Sequence, residues 1–436
     1  MTDQQAQEYS NTSTASLEMD PQAPKPPRWN AQDTSWTVSL FGTAIGAGIL
    51  FLPINAGVGG VWPLLLATLI IWPMVYFSHR ALSRMVCASQ KPDANITNLT
   101  EQYFGTGIGR AFTLLYFLSI FPVLLIYGVG ITNTVDSLLT NQLGLNSPPR
   151  WLLSGILVGL LTAVMLASQK VMLAITNFLV YPLILVLLLV SIYLIPHWSF
   201  AGFKLLPSPA DFSLALWLML PVLIFSFYHA PAISQFSVSM RQSYGLQSAA
   251  KASQILRATS TILVVFTMIF VWSCVLALGP EGMQRARQAN LPILSYLAND
   301  LNTPFIGILG PIVAITAISS SYFGHWLGAH EGAVGIIRSN FKTEKRGISD
   351  KSISLAVSGF LFTCVWLAAI FNPSILSLIE TLVGPIMALV LFIMPMYAIH
   401  KVAVLQPYRG KLSNIFVVLA GLTAFSAIIY KLLDLL

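Results

Sequence analysis

The sequence predicts an all-α integral membrane protein of about eleven transmembrane helices, laid out as two blocks of five with one extra helix at the C-terminal end. Three observations predict it. The 436 residues are 56% hydrophobic and only 9% charged, whereas soluble domains carry about 25% charged residues. Apolar runs of about 20 residues recur from Ser35 onward, the length a helix needs to cross a bilayer. Lysine and arginine fall on alternate loops, 18 on one side against 5 on the other, as the positive-inside bias requires. A chain so poor in charge cannot clothe a soluble surface, which excludes a typical cytosolic enzyme and a disordered scaffold. The net charge is +7, but the basic residues form no single patch, so nucleic acid is not an expected partner. Cys87, Cys274 and Cys364 are too widely spaced for a disulfide framework or a metal site.

Residues 1–34 are polar, with the run Pro21-Gln-Ala-Pro-Lys-Pro-Pro27. They read as a disordered cytoplasmic tail, and no apolar core of a cleaved signal peptide lies in them. The first block, 35–195, holds spans near 35–58, 61–83, 110–135, 150–167 and 170–195. An outer loop, 196–211, follows. The second block, 212–399, holds spans near 212–238, 257–278, 305–336, 353–371 and 373–399. Residues 400–436 form a cytoplasmic loop and an eleventh span at 413–434. Only Ser168-Gln-Lys170 divides the fourth span from the fifth, and only Asn372-Pro373 the ninth from the tenth. Segments 95–106 and 288–300 read as short interfacial helices. The loop charges place the N-terminus inside and the C-terminus outside.

Two spans contain what an uninterrupted membrane helix avoids. The first has Gly42, Gly46 and Gly48, followed by Pro53; glycines weaken a helix and proline removes a donor. Gly42-x-x-x-Gly46 also suits close helix packing. The sixth has Ser226, Tyr228 and His229 in mid-span with Pro231 just after. Opened backbone is tolerated in a membrane only when buried in protein or lining a cavity. Each break starts a block of five spans, and an odd number per block inverts the second relative to the first. That is the pattern of secondary transporters with a midplane site at paired broken helices.

The string Gly42-Thr-Ala-Ile-Gly-Ala-Gly-Ile-Leu-Phe-Leu-Pro-Ile-Asn-Ala-Gly57 resembles the first helix of the hydroxy/aromatic amino acid permeases, most nearly the bacterial serine and threonine permeases. Further matching stretches are Ile131-Thr-Asn-Thr134, Phe225-Ser-Phe227 with Pro231, Leu294-Ser-Tyr-Leu-Ala-Asn299, Gly324-His325 with Leu327-Gly328, Asn372-Pro-Ser-Ile-Leu376 with Ile379-Glu380, and Met394-Pro-Met-Tyr-Ala-Ile399. They cover nearly all the chain after residue 34. The resemblance implies a LeuT-like fold of five plus five helices, eleven spans, the bacterial inner membrane, and cation-coupled amino acid uptake with no cofactor besides the coupling ion, H+ or Na+. Serine or threonine is the first expected substrate, with tryptophan or tyrosine as the alternative, because the serine permeases carry an asparagine where Tyr228 stands. The substrate and the lipid bilayer are the only partners implied.

A zwitterion crossing the membrane needs both charged groups satisfied away from water. The helix resuming after the first break would offer the N–H groups of Ala47, Gly48 and Ile49 to a carboxylate. Carbonyls freed at Thr43 and Ala44, and at Ser226 and Phe227, would take the ammonium, and Gly46 keeps side chains out of the way. Tyr127, Tyr228 and His229 are candidates to shape the side-chain pocket, with His229 or Ser226 bonding a substrate hydroxyl; packing is the commoner role of a tyrosine at position 127. For the cation, the resemblance points to carbonyls of the first span and hydroxyls of the eighth. The candidates are the Ile45 carbonyl, Ser319 and Ser320, oxygen ligands that suit sodium. The serine permeases carry a lysine where Ser320 stands, so this chain departs from them there. Glu380, inside the tenth span, is the strongest candidate proton carrier, since carboxylates within membranes are usually functional; a structural glutamate bonded to another helix is the competing role. His325 and Glu331 are weaker candidates. A channel, an embedded enzyme or an ATP-driven pump would need pore rings, a nucleophile–base pair or a phosphate-binding loop, and none is evident in the sequence.

Overall fold

The computed structural model describes residues 26–89, 96–167, 169–301, 304–341 and 349–433, and among them every regular element is helical. Residues 1–25 of the expected tail lie outside the described residues, as do Lys91, Ser168, Lys342, Lys345 and Arg346. In chain order the helices are α1 (Ala31–Ala44), α2 (Ala47–Gly59), α3 (Val61–Cys87), α4 (Ile96–Ser137), α5 (Arg150–Leu166), α6 (Gln169–Tyr193) and α7 (Pro209–Ser226). Then come α8 (Ala230–Tyr244), α9 (Ser248–Ala289), α10 (Ile293–Asp300), α11 (Pro304–Phe341), α12 (Asp350–Phe371), α13 (Ile375–Lys401) and α14 (Leu412–Leu433).

Among the described residues, seven helices are long and apolar enough to cross a membrane, and the bent pair α1–α2 makes an eighth. Arg150–Leu166 and the apolar stretches Pro182–His197 and Leu412–Ala427 are shorter. Both anticipated interruptions are present. The chain bends by 54° between α1 and α2, where Ile45 is extended and Gly46 is fully stretched (φ −145, ψ −148). The sixth span is split at Phe227–His229, and Pro231 opens α8, a position where its missing N–H costs nothing.

Two local expectations are corrected and a third is met. The tail expected through residue 34 ends earlier, because Asn30 and Asp33 form a reciprocal capping box that starts α1 at Ala31. The short helix expected at 288–300 begins at Ile293: α9 runs to Ala289, Asn290 turns left-handed (φ 54) and Pro292 follows. The short helix expected at 95–106 is present from Ile96, divided from the long span of α4 at Gly105 (φ 76). α13 is continuous but contains two π-helical stretches, Ile379–Val383 and Leu389–Ile393, just ahead of Pro385 and Pro395. Widening the helix there relieves the clash between each proline ring and the preceding turn. The most extensive contact in the fold joins α4 to α11, with α2 packed on α9 and α7. This brackets both breaks between α4, α11 and α7.

Candidate functional site

The two breaks meet. Gly48, in the first turn of α2, lies so close to the end of α7 that an added Cβ would stand 2.5 Å from Ser226 Cα. The Ser226 hydroxyl bonds across the junction to the Gly48 carbonyl at 2.8 Å and back to the Val222 carbonyl at 2.7 Å. A Cβ at Gly46 would collide with Ser321 Oγ. Glycine is required at both positions by close approach, not by a positive φ. Four helix ends converge here: the C-termini of α1 and α7 and the N-termini of α2 and α8. Their partial charges are negative at the first two and positive at the last two. The α2 cap residue, Gly46, has no side chain to cap with, so the first N–H groups of α2 (Ala47, Gly48 and Ile49 among them) lack intrahelical acceptors.

A polar rim from α4 and α11 closes on this junction. Ser321 Oγ donates to the Thr43 carbonyl at 3.3 Å, and Tyr127 OH lies 2.7 Å from Ser321 Oγ. His325 Nδ1 donates to the Ser321 carbonyl at 2.9 Å, and its ring stands edge-on to Tyr127 at 5.3 Å. Tyr228 OH lies 3.0 Å from Ser119 Oγ on α4. All these side chains except that of Thr43, whose hydroxyl bonds back to Ser39, are buried.

The sequence-expected residues divide into those the junction gathers and those it does not. Thr43, Ala44, Ile45, Gly46, Ala47, Gly48, Ser226, Phe227 and Tyr127 all lie at it. Tyr127 contacts the broken helix through Ser321 rather than serving as plain packing. Ser226 spends its hydroxyl on the junction itself, not on a pocket. His229 is turned away from the expected side-chain pocket: its ring stacks on His79 of α3 at 3.6 Å, and its Nδ1 donates to the Phe227 carbonyl at 2.9 Å. The expected cation set shifts as well. Ser320 Oγ bonds back to the Ala317 carbonyl at 3.1 Å, and the hydroxyl that reaches the first break is Ser321, one position on. Successive residues point about 100° apart on a helix, so the serine triplet could not reveal which one faces inward. Glu380 is buried, but not as a lone carboxylate. Arg287 Nη2 lies 3.0 Å from Oε2, and Asn55 Nδ2 donates to Oε1 at 2.9 Å, which makes it half of an ion pair rather than a free proton carrier.

Two clamps therefore hold the broken helix, one at each end. At the start of α1, Asp33 and Lys251 are 2.6 Å apart with both side chains fully buried. Tyr244 OH donates to Asp33, and Lys251 also donates to the carbonyls of Pro27 and Arg28. At the far end of α2, Asn55 joins Glu380 and Arg287. Sequence reading missed Asp33, Lys251, Arg287, Asn55 and His79. The lysine was accounted for by the inner-loop charge bias, the arginine was one of the five cations on the outer side, and a second intramembrane histidine, on the second span, was the available signal for His79.

The junction thus joins opposed helix ends, two closely packed glycines and a rim of hydroxyls. The sequence matches the tryptophan/tyrosine permease family over residues 34–432. It is 46% identical over 411 residues to the serine transporter SdaC of Escherichia coli strain K12, covering 93% of this chain and 96% of that protein. It is 38% identical over 425 residues to the threonine/serine transporter TdcC of Escherichia fergusonii, covering 92% and 96%. The crystal structure of MhsT in complex with L-phenylalanine shares the fold, with a TM-score of 0.58 at 15% identity over 93% of this chain and 99% of that one.

Proposed function

The chain belongs to the tryptophan/tyrosine permease family, and from that premise we propose that it imports a small neutral amino acid, serine or threonine first, in symport with a proton. It works as a multi-pass protein of the bacterial inner membrane, with the N-terminus cytoplasmic and the C-terminus periplasmic. No catalytic step, cofactor or obligate protein partner enters the cycle. The observation that carries the reading is the direct meeting of the two broken helices at Gly48 and Ser226. It sets the substrate carboxylate against the open N–H groups of α2 and the ammonium against the C-terminal ends of α1 and α7. The relatives' names support serine and threonine; the family's name keeps tryptophan and tyrosine as the second reading.

The hydroxyl and carbonyl that sodium would need, Ser321 Oγ and Thr43 O, are hydrogen-bonded to each other, and Ser320 bonds within its own helix. This supports the proton over sodium. The test is uptake of radiolabelled serine, threonine, tryptophan and tyrosine into proteoliposomes under an imposed proton or sodium gradient. Serine or threonine accumulation driven by the proton gradient is expected, with Gly48→Ala inactive because its methyl enters the Ser226 backbone. Accumulation driven by sodium alone overturns the coupling, and failure to accumulate any of the four overturns the substrate class.

A further inference from the structure

We propose that the stacked imidazoles of His79 and His229 form the site that carries the coupling proton, one proton per pair, on Nε2 of His229. The proposal rests on the symport reading above and adds to it the group that binds the ion.

His79 stands on α3, and His229 is the residue that caps α8 at the second break. The rings are 3.6 Å apart and within 3° of parallel, and both are buried. Hydrogen bonds assign both tautomers. His79 Nδ1 is 2.8 Å from the Val75 carbonyl, and His229 Nδ1 is 2.9 Å from the Phe227 carbonyl. A carbonyl only accepts, so each Nδ1 bears the hydrogen and each Nε2 is a bare acceptor. The Nε2 of His79 is satisfied, taking the backbone N–H of His229 at 3.2 Å. The Nε2 of His229 is buried and has no hydrogen-bond partner. A buried acceptor left unmade costs free energy, and its residue closes the second interruption, with the ring turned toward α3.

The geometry admits one proton and bars a second. Two imidazolium rings at 3.6 Å would repel, and a proton on His79 Nε2 would confront the His229 N–H with another donor. The first proton is coupled to the substrate by the same helix ends. His229 sits at the positive end of α8, which disfavours a cation there. A substrate carboxylate docked at the break offsets that field, so carboxylate and proton raise each other's affinity, reciprocally by linkage. The proton comes from the outer water, forms the N–H bond at Nε2, and returns to water when the break opens inward; no other bond is made or broken.

Of the charged groups on the neighbouring elements, Glu331 of α11 keeps one buried carboxylate oxygen unpartnered, one turn from the Gly328 that packs on Pro231; the others are engaged elsewhere or remote. α7 and α13 present Leu223, Ile224, Leu391 and Phe392 beside the pair, and α3 presents Ser78. Arg80 lies over the rings of Tyr76 and Phe77, Arg84 over Tyr408, and Arg241 donates to the Val86 carbonyl. Tyr228 turns to Ser119 and His325 to the Ser321 carbonyl. On α13, Glu380 is held by Arg287, and His400 and Lys401 are exposed at its last turn.

The test compares the wild-type protein with His229→Gln and His79→Gln in proteoliposomes. Three quantities are read: serine accumulation under a proton gradient, serine–serine exchange, and serine affinity at about pH 5.5 and about pH 7.5, the interval in which histidine titrates. In the wild type, affinity should rise as pH falls, by up to about tenfold per pH unit for one linked proton. His229→Gln should keep exchange, lose gradient-driven accumulation and show the same affinity at both pH values. His79→Gln retains an acceptor for the His229 N–H but no second ring, and should lose most of the pH dependence; it carries the test if His229→Gln does not fold. Variants that accumulate serine as the wild type does, with its pH dependence intact, overturn the pair as the proton site while leaving the symport reading standing. A wild type with no proton-driven accumulation overturns the symport reading itself, and the proton role of the pair with it.

Discussion

The two clamps on the broken helix are built differently. At the α1 end the helix supplies its own charge: Asp33 pairs with Lys251 at 2.6 Å, neither side chain is exposed, and Tyr244 with the carbonyls of Pro27 and Arg28 completes the set. At the α2 end the ion pair belongs to bystanders. Glu380 of α13 and Arg287 of α9 neutralise each other at 3.0 Å with Arg287 30% exposed, and α2 contributes the neutral Asn55 amide. Asn55 Oδ1 is left without a partner. Releasing α1 means separating two buried charges, whereas releasing α2 means giving up one hydrogen bond to a carboxylate that is already paired. The α2 half is therefore the cheaper one to open, and with the proposed orientation that is the outer side, from which an importer loads.

The largest effect that would sharpen this contrast is expected from Lys251→Ala. It leaves Asp33 buried and uncompensated, a loss of about 3–5 kcal/mol. Unfolding of the purified protein by SDS titration measures it, and the double variant Asp33→Asn/Lys251→Ala should recover part of the loss because no lone charge remains. If the double variant is no more stable than the single one, the clamp is not electrostatic. Arg287→Gln comes next. Water reaches Arg287, and Asn55 stays on Glu380, so the expected cost is about 1–3 kcal/mol, in the range of a charged hydrogen bond. A cost equal to that of Lys251→Ala in the same titration would erase the distinction between the two ends.

The legible part of this protein lay in violations of a rule. Gly42, Gly46, Gly48 and Pro53, and then Pro231, stand where a plain apolar span would carry none, so both breaks were readable, while the contact of Gly48 with Ser226 came only from the structure. Partner choice was not readable wherever it depends on rotation about a helix axis or on contacts far apart in sequence. Ser321 rather than Ser320 reaches Thr43, and His229 meets a histidine 150 positions away. Loop arithmetic also left the partners of two cations unread. Lys251 follows the inside bias and Arg287 is one of the five cations on the outer side, so counting by loop gave neither a partner, yet each neutralises a buried carboxylate at one end of the broken helix. Composition counts such residues correctly, and only packing reveals which of them are buried.

The smallest expected effect is the most discriminating. Asn55→Ala removes the side-chain bond from Asn55 by which α2 holds the Glu380–Arg287 pair, and it also deletes an unpartnered buried oxygen. The lost bond, at about 1–1.5 kcal/mol, and the relieved oxygen partly cancel, so stability should fall by no more than about 1 kcal/mol. Opening should respond all the same, because the bond that ties α2 to the clamp is gone while the ion pair survives. Accessibility of a cysteine placed at Val58, which is 37% exposed just beyond Asn55, reads this as faster labelling by a membrane-impermeant thiol reagent from the outer side, with the equivalent label beside Asp33 unchanged. Equal acceleration at both ends would mean that the half-helices move as one body, and the asymmetry of the clamps would then have no bearing on which side opens.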